Sequence, residues 1–189
     1  DVLGSRGLGD VYKRQEDVAK HRQHAFPARM EDAVVEKLVK RVLQDSADTE
    51  TITFAFQGGE PTLAGRSFYE HFVERVMRNQ KPNQKIQYVL QTNGCLIDDA
   101  WCAFFQKHDF LIGISVDGWR KHHDRYRRLV QGSSYAHVTK AMHSLRKYHI
   151  RFNVLTVLDD ILAKQPDTLY AFYRQQKVTH VPVSYTHLT

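Results

Sequence analysis

TITFAFQGGEPT, residues 51–62, joins a β-branched and aromatic run to a Gly-Gly-Glu-Pro turn. Thr51–Phe56 has the composition of a short strand. Phe68, Phe72, Val73 and Val76 follow at helical spacing, so the unit is strand, polar glycine turn, helix. The unit recurs along the chain. Residues 86–90 predict a strand that ends in Gln-Thr-Asn-Gly, before a helix opened by Asp98 and Asp99 and carrying Trp101, Phe104 and Phe105. Residues 111–115 predict the next, ending in Val116-Asp117-Gly118 ahead of a helix with Val138, Met142 and Leu145 on its apolar face. Residues 152–157 predict another strand, with Leu169, Phe172 and Tyr173 on the helix after it, and residues 179–181 begin a last one. Upstream, Val34, Val35, Leu38, Val39 and Val42 share one face of a helix starting near Met30, with Glu31 and Asp32 suited to its first turn.

Strands alternating with helices imply a parallel sheet, because each crossover returns the chain to the same edge. The choice lies between a doubly wound sheet and a partial barrel. Both place their site at the C-terminal ends of the strands, where the polar, glycine-containing segments fall. A chain of 189 residues suits one domain with its own core. With 42% hydrophobic and 25% charged residues, the composition is that of a soluble globular protein and excludes collagen-like and wholly disordered classes. No apolar run approaches the roughly 20 residues that cross a bilayer, and no secretory signal is evident, so no membrane partner and a cytoplasmic location are expected.

The formal charge of +6 invites a nucleic-acid reading. Its distribution argues against one. Apart from RKHHDRYRR, residues 120–128, Lys and Arg are mixed with acids along helices, and the aromatic residues fall at core spacing. A basic nucleic-acid-binding domain is thus the alternative of another class, and no nucleic-acid partner is expected.

Gly58 and Gly59 let a backbone approach a ligand, and the Glu60 carboxylate suits an ammonium or a ribose hydroxyl. A tight strand-to-helix turn explains the same residues. Gln57, Gln91, Asn93 and Ser115 converge on one end of the sheet, which independent turns have no reason to do. HHDRYR, residues 122–127, reads as a solvated loop without metal-ligand spacing, although Arg127 folded over the strand ends would clamp a carboxylate. Cys95 and Cys102 are the only two cysteines, too few for a disulfide scaffold or a metal site; Cys102 belongs to an apolar helix and Cys95 to a loop.

FAFQGGEPT, LQTNG, DDAWCAFFQKHDFLIGISVDG, HDRYR and FNVLTVL, in this order and spacing, resemble the radical S-adenosylmethionine core of anaerobic sulfatase-maturating enzymes over residues 30–181. The resemblance implies an α/β, partial TIM-like (β/α)6 barrel. It also implies S-adenosylmethionine and a 4Fe-4S cluster as cofactors, and oxidation of a Cys or Ser in a sulfatase to formylglycine. The implied partners are a sulfatase peptide and an electron donor such as flavodoxin or ferredoxin. Carried onto this sequence, Gly58, Gly59 and Glu60 match the segment that binds the methionine amino group, and Ser115 and Arg127 match residues that hold its carboxylate. Leu155 lies on the strand flanking adenine, and Gln57, Gln91 and Asn93 match polar positions for cofactor or peptide contact.

Two departures accompany the match. The family's C-x-x-x-C-x-x-C cluster motif should precede the helix near Met30, and no cysteine stands there. The cysteine-rich C-terminal domain and the catalytic base would lie beyond Thr189, so no catalytic residue is assigned. The ends, residues 1–15 and 182–189, include GDVYKRQ and VSYTHLT, which resemble translated sequencing-adapter DNA. The expected organisation is a core domain at 16–181, truncated at both ends, between two non-native tails. Such a chain is expected to be inactive alone. A radical S-adenosylmethionine maturase of another peptide shares the same core and is the near alternative.

Overall fold

Residues 30–127, 129 and 132–185 are described in a computed structural model. The elements run α1 (Asp32–Asp45), β1 (Thr51–Phe56), a 3-10 turn (Pro61–Ala64), α2 (Arg66–Asn79), β2 (Lys85–Thr92), α3 (Asp99–Lys107) and β3 (Phe110–Ser115). They continue with α4 (Arg120–Tyr126), α5 (Ser134–Lys147), β4 (Phe152–Leu158), α6 (Asp160–Ala163), α7 (Pro166–Gln175) and β5 (Val183–Tyr185). Every strand pairs parallel with its predecessor, in the order β1-β2-β3-β4-β5. A doubly wound sheet must reverse its order somewhere. Here it does not, so right-handed crossovers put the helices on one side, as in a barrel wall.

Burial follows this one-sided cover. Ile52 and Phe54 on β1 are buried while Thr51, Thr53 and Ala55 are exposed. Tyr88, Leu90 and Thr92 on β2 and Phe110, Ile112 and Ile114 on β3 likewise face the helices. The core is aromatic at its centre. Phe110 stacks on Tyr88 at 4.9 Å and meets Phe104 and Phe105 of α3 at 5.3 and 5.4 Å, while Phe56 meets Phe72 of α2 edge-on at 5.0 Å. Asp98 caps α3 by accepting the Trp101 N–H at 2.8 Å. Phe68 is half-buried and Phe72, Phe104 and Phe105 are buried, so these rings serve the core rather than an aromatic surface. No helix among the described residues is long and apolar enough to cross a membrane.

Three local expectations change. On α1 the buried stripe is Val35, Val39 and Leu43 at i, i+4 spacing, whereas Val34 and Leu38 remain exposed because α1 rests on α2 along a narrow seam. The last strand is Val183–Tyr185 rather than residues 179–181. Pro182 has no N–H to donate, yet its carbonyl accepts the Thr156 N–H at 3.2 Å, so it leads into the strand. The first residues of the expected tail at 182–189 therefore edge the sheet beside β4; residues 186–189, like the tail at 1–15, lie outside the described residues.

The third change is the HHDRYR segment, a helix with two buried histidines and not a solvated loop, although Arg125 and Tyr126 are exposed. His122 and His123 on α4 are 5% and 1% exposed. His122 Nε2 lies 3.5 Å from Asp159 Oδ2, and Asp159 Oδ1 caps α6 through the Ile161 and Leu162 N–H groups. His123 Nδ1 accepts the Asp117 N–H at 3.1 Å, which explains why the ring turns inward: it satisfies a buried donor at the end of β3.

Two stability predictions follow from this packing. Phe110→Ala removes the ring shared by β2 and α3 and should cost about 3–5 kcal/mol in chemical denaturation. The second concerns acid. Burial, then the nearby Arg127 charge, pushes His123 down from 6.5 to about 4, against the pull of Asp117 and Asp124. Between those values the unfolded chain binds the extra proton, so this contribution is complete above pH 6.5 and is lost as the pH falls toward 4. The loss should reach about 3 kcal/mol, and His123→Asn, which keeps an acceptor but does not titrate, should flatten that part of the stability-against-pH curve.

Candidate functional site

The C-terminal ends of β1 to β4 form one rim. The register pairs Phe56 with Leu90, Gln91 with Gly113, Gly113 with Asn153, and Ser115 with Leu155. Gln91, Gly113, Asn153, Ser115 and Leu155 therefore share the face opposite the helices of the described residues. Gly113 makes room there: a Cβ on it would come within 2.7 Å of Leu155 Cδ1, so the missing side chain lets Leu155 lie toward Gln91. Gln57, Gly58 and Gly59 are exposed just past the end of β1. Gly58 and Gly59 have φ of +97° and +54°, a left-handed pair that turns the chain back toward β2.

Glu60 fastens that turn. Its Oε1 accepts from Thr62 N at 3.1 Å, Thr62 Oγ1 at 2.5 Å and Thr92 Oγ1 at 2.7 Å, and its Oε2 accepts from Asn93 N at 2.8 Å. One carboxylate thus holds the 3-10 turn and the end of β2 together. Tyr69 of α2 adds a hydrogen bond from its hydroxyl to the Pro61 carbonyl at 2.7 Å, and burial pushes its pKa up, with Glu60 adding to the shift. The Asn93 Oδ1 accepts the Cys95 N–H at 2.9 Å, which turns the Asn93 side chain into its own loop.

A second node lies past β3. Arg127 gives Nε–H to Asp117 Oδ2 at 2.6 Å and Nη2–H to Asp117 Oδ1 at 3.1 Å. The two side chains are only 10% and 5% exposed, so this is a buried bidentate ion pair. Asp117 Oδ1 also accepts the Val157 N–H of β4 at 3.0 Å. Arg127 N–H reaches the His123 carbonyl at 2.9 Å, and Ser134 Oγ bonds the Arg127 carbonyl. The backbone and side chain of Arg127 are both held.

Cys95 stands between the nodes. Burial and then Glu60 push its thiol up to about 11, while Arg127 pulls it down. Cys102 is fully buried in α3 and is also pushed up to about 11, by burial and then Asp99 and Asp98. Neither thiol is disposed to ionise, two thiols cannot hold three irons, and no group of three His, Cys, Asp or Glu among the described residues could hold a metal ion. The residues present do not fit an iron-sulfur cluster. The strand ends carry instead one carboxylate, Glu60, and one guanidinium, Arg127.

The structure thus joins Glu60 to the Asn93 backbone, sets Ser115 beside Leu155, and ties Arg127 two residues beyond Ser115. The Gly58–Gly59 turn and Arg127 lie at separate nodes, with the end of β2 between them. Asp117, Thr62, Thr92, Gly113 and His123 escaped the sequence reading. Asp117 was masked by its resemblance to an ordinary Asp-Gly turn; its one sequence signal is an unpaired acid at a strand end, ten residues before an arginine assigned to the same rim.

A cysteine-type anaerobic sulfatase-maturating enzyme of Clostridium novyi (strain NT) is 34% identical over 161 residues, covering 85% of this chain and 42% of that protein. A serine-type anaerobic sulfatase-maturating enzyme of Bacteroides thetaiotaomicron is 31% identical over 147 residues, covering 77% and 35%. The structure described as native anSMEcpe with bound AdoMet and Kp18Cys peptide superposes with a TM-score of 0.81 at 34% identity, over 87% of this chain and 45% of that one. The chain spans less than half the length of these curated relatives. The resemblance read from the motifs, and the partial TIM-like barrel it implied, are borne out. The Radical SAM superfamily profile matches residues 17–172, and the chain belongs to that superfamily.

Proposed function

We propose that this chain forms the S-adenosylmethionine-binding part of an enzyme that oxidises a cysteine or serine of a sulfatase to formylglycine. The observation that carries this reading is the placing of Glu60 and Arg127 at the strand ends of one rim, above an inner face that carries no helices among the described residues. Similarity to both cysteine-type and serine-type maturases supports the reaction. S-adenosylmethionine supplies, on reductive cleavage, the radical that takes hydrogen from the target Cβ.

The chain's own residues bind and orient. The turn at Gly58, Gly59 and Glu60 receives the methionine ammonium. With four donors already on Glu60, its carboxylate acts by charge and by the lone pair left on Oε2, while the two exposed glycines offer backbone carbonyls. Ser115 and the Arg127 guanidinium receive the carboxylate. Leu155 supplies apolar surface to adenine, and Gln57, Gln91 and Asn93 meet cofactor or peptide at the rim. The core domain starts at residue 16 and runs past the expected boundary at 181 to take in β5. A sulfatase peptide and a flavodoxin- or ferredoxin-like donor are the partners, and iron ligands come from a C-x-x-x-C-x-x-C segment that this sequence does not contain.

Charge-assisted contacts of about 1.5–3 kcal/mol correspond to roughly one to two decades in affinity. Glu60→Gln and Arg127→Ala should each weaken S-adenosylmethionine binding by that factor in equilibrium dialysis, and unchanged isotherms for both would refute the site. Reconstituting this polypeptide anaerobically with iron and sulfide should give no stable cluster absorption and no 5′-deoxyadenosine. A stable cluster here would overturn the assignment of the ligands to another segment.

A further inference from the structure

The Asp117–Arg127 pair has an asymmetry that bears on ligand recognition. A guanidinium carries five N–H groups on two usable edges. Asp117 occupies the side-on edge, taking Nε–H and one Nη2–H. Among the described residues the end-on fork, made of Nη1 and the second Nη2–H, has no side-chain acceptor. The direction of that fork is set by Asp117, whose own carboxylate is fixed by the Val157 N–H at 3.0 Å and whose backbone N–H is fixed by His123 at 3.1 Å. Val157 and Leu155 lie on the same face of β4, two residues apart.

We propose that Asp117 is a positioning residue: it locks the Arg127 side chain through its side-on edge and aims the end-on fork at the carboxylate of the ligand's amino-acid end. The assignment rests on the reading that Arg127 meets that carboxylate. Ordering a long side chain before the ligand arrives removes that ordering from the binding step. The pair also neutralises itself. Arg127 is buried next to a compensating charge, so the folded site need not bury an isolated cation when the ligand is absent.

The test compares two ligands, S-adenosylmethionine and its decarboxylated analogue, on the full chain and its variants. Asp117→Asn keeps the shape but removes the charge that orients the guanidinium. It should weaken S-adenosylmethionine binding by about tenfold while leaving the decarboxylated ligand unaffected. Arg127→Ala should show the same selectivity. Equal losses for both ligands in Asp117→Asn would mean a merely structural role, and no loss would mean no role; either result overturns the proposal. If Arg127→Ala itself treats the two ligands alike, the underlying assignment of Arg127 fails, which is a separate outcome. Should Asp117→Asn not fold, Asp117→Glu decides. It retains the charge on a longer arm that displaces the fork, so selective loss supports positioning and undiminished binding refutes it.

Discussion

Parallel strands paired in chain order deliver all their C-terminal ends to one rim, and this geometric constraint governs the rest of the molecule. Once β1 to β5 point the same way and each crossover has the same hand, the helices must share one side. The turns after β1, β2 and β3 are then neighbours, although residues 58, 93 and 115 are distant in sequence. No special interaction is needed to gather them. Side-chain chemistry is needed only to fix how each turn leaves its strand.

That fixing is done by two carboxylates. Glu60 binds the β1 turn to the end of β2, and Asp117 binds the loop after β3 to β4. Glu60 accepts the Asn93 N–H just past β2, and Asp117 accepts the Val157 N–H of β4 just beyond the end of its neighbour β3; in both places the sheet ladder no longer offers a partner, and an unpaired buried donor would cost about 1–3 kcal/mol. Asp117 is the more deeply buried of the two and carries a full countercharge in Arg127. The rim is therefore stiff: each turn is tied to the next strand, on the side of the sheet away from the helices of the described residues.

Elements were readable from the sequence wherever burial was one-sided. TITFAF on β1 alternates between buried and exposed positions, and Trp101, Cys102, Phe104 and Phe105 on α3 match the periodicity of a packed helix. Legibility failed where a polar group is buried for the sake of one hydrogen bond. His122 and His123 look like surface residues inside a basic run, and nothing local reveals that the Asp117 N–H, six residues earlier, needs an acceptor. The last strand was misplaced for a related reason. Pro182 reads as a breaker, but a proline entering an edge strand needs only its carbonyl to pair. At the site, Glu60 and Arg127 were visible as residue types, whereas their partners were not. Thr92 and Asp117 are ordinary turn and strand-end residues until the fold brings them into contact.

The two nodes differ in the hydrogen-bonding capacity that they retain among the described residues. Glu60 has given most of its lone pairs to Thr62, Thr92 and Asn93, so it offers net negative charge more than a specific geometry. Arg127 has given two N–H groups to Asp117, and its end-on fork has no side-chain acceptor among the described residues. On the reading proposed for this chain, a diffuse negative centre and a directional positive one suit a zwitterion whose ammonium tolerates several acceptors and whose carboxylate requires a planar pair. An isolated phosphate would meet repulsion at Glu60, and a simple amine would leave the Arg127 fork without an acceptor.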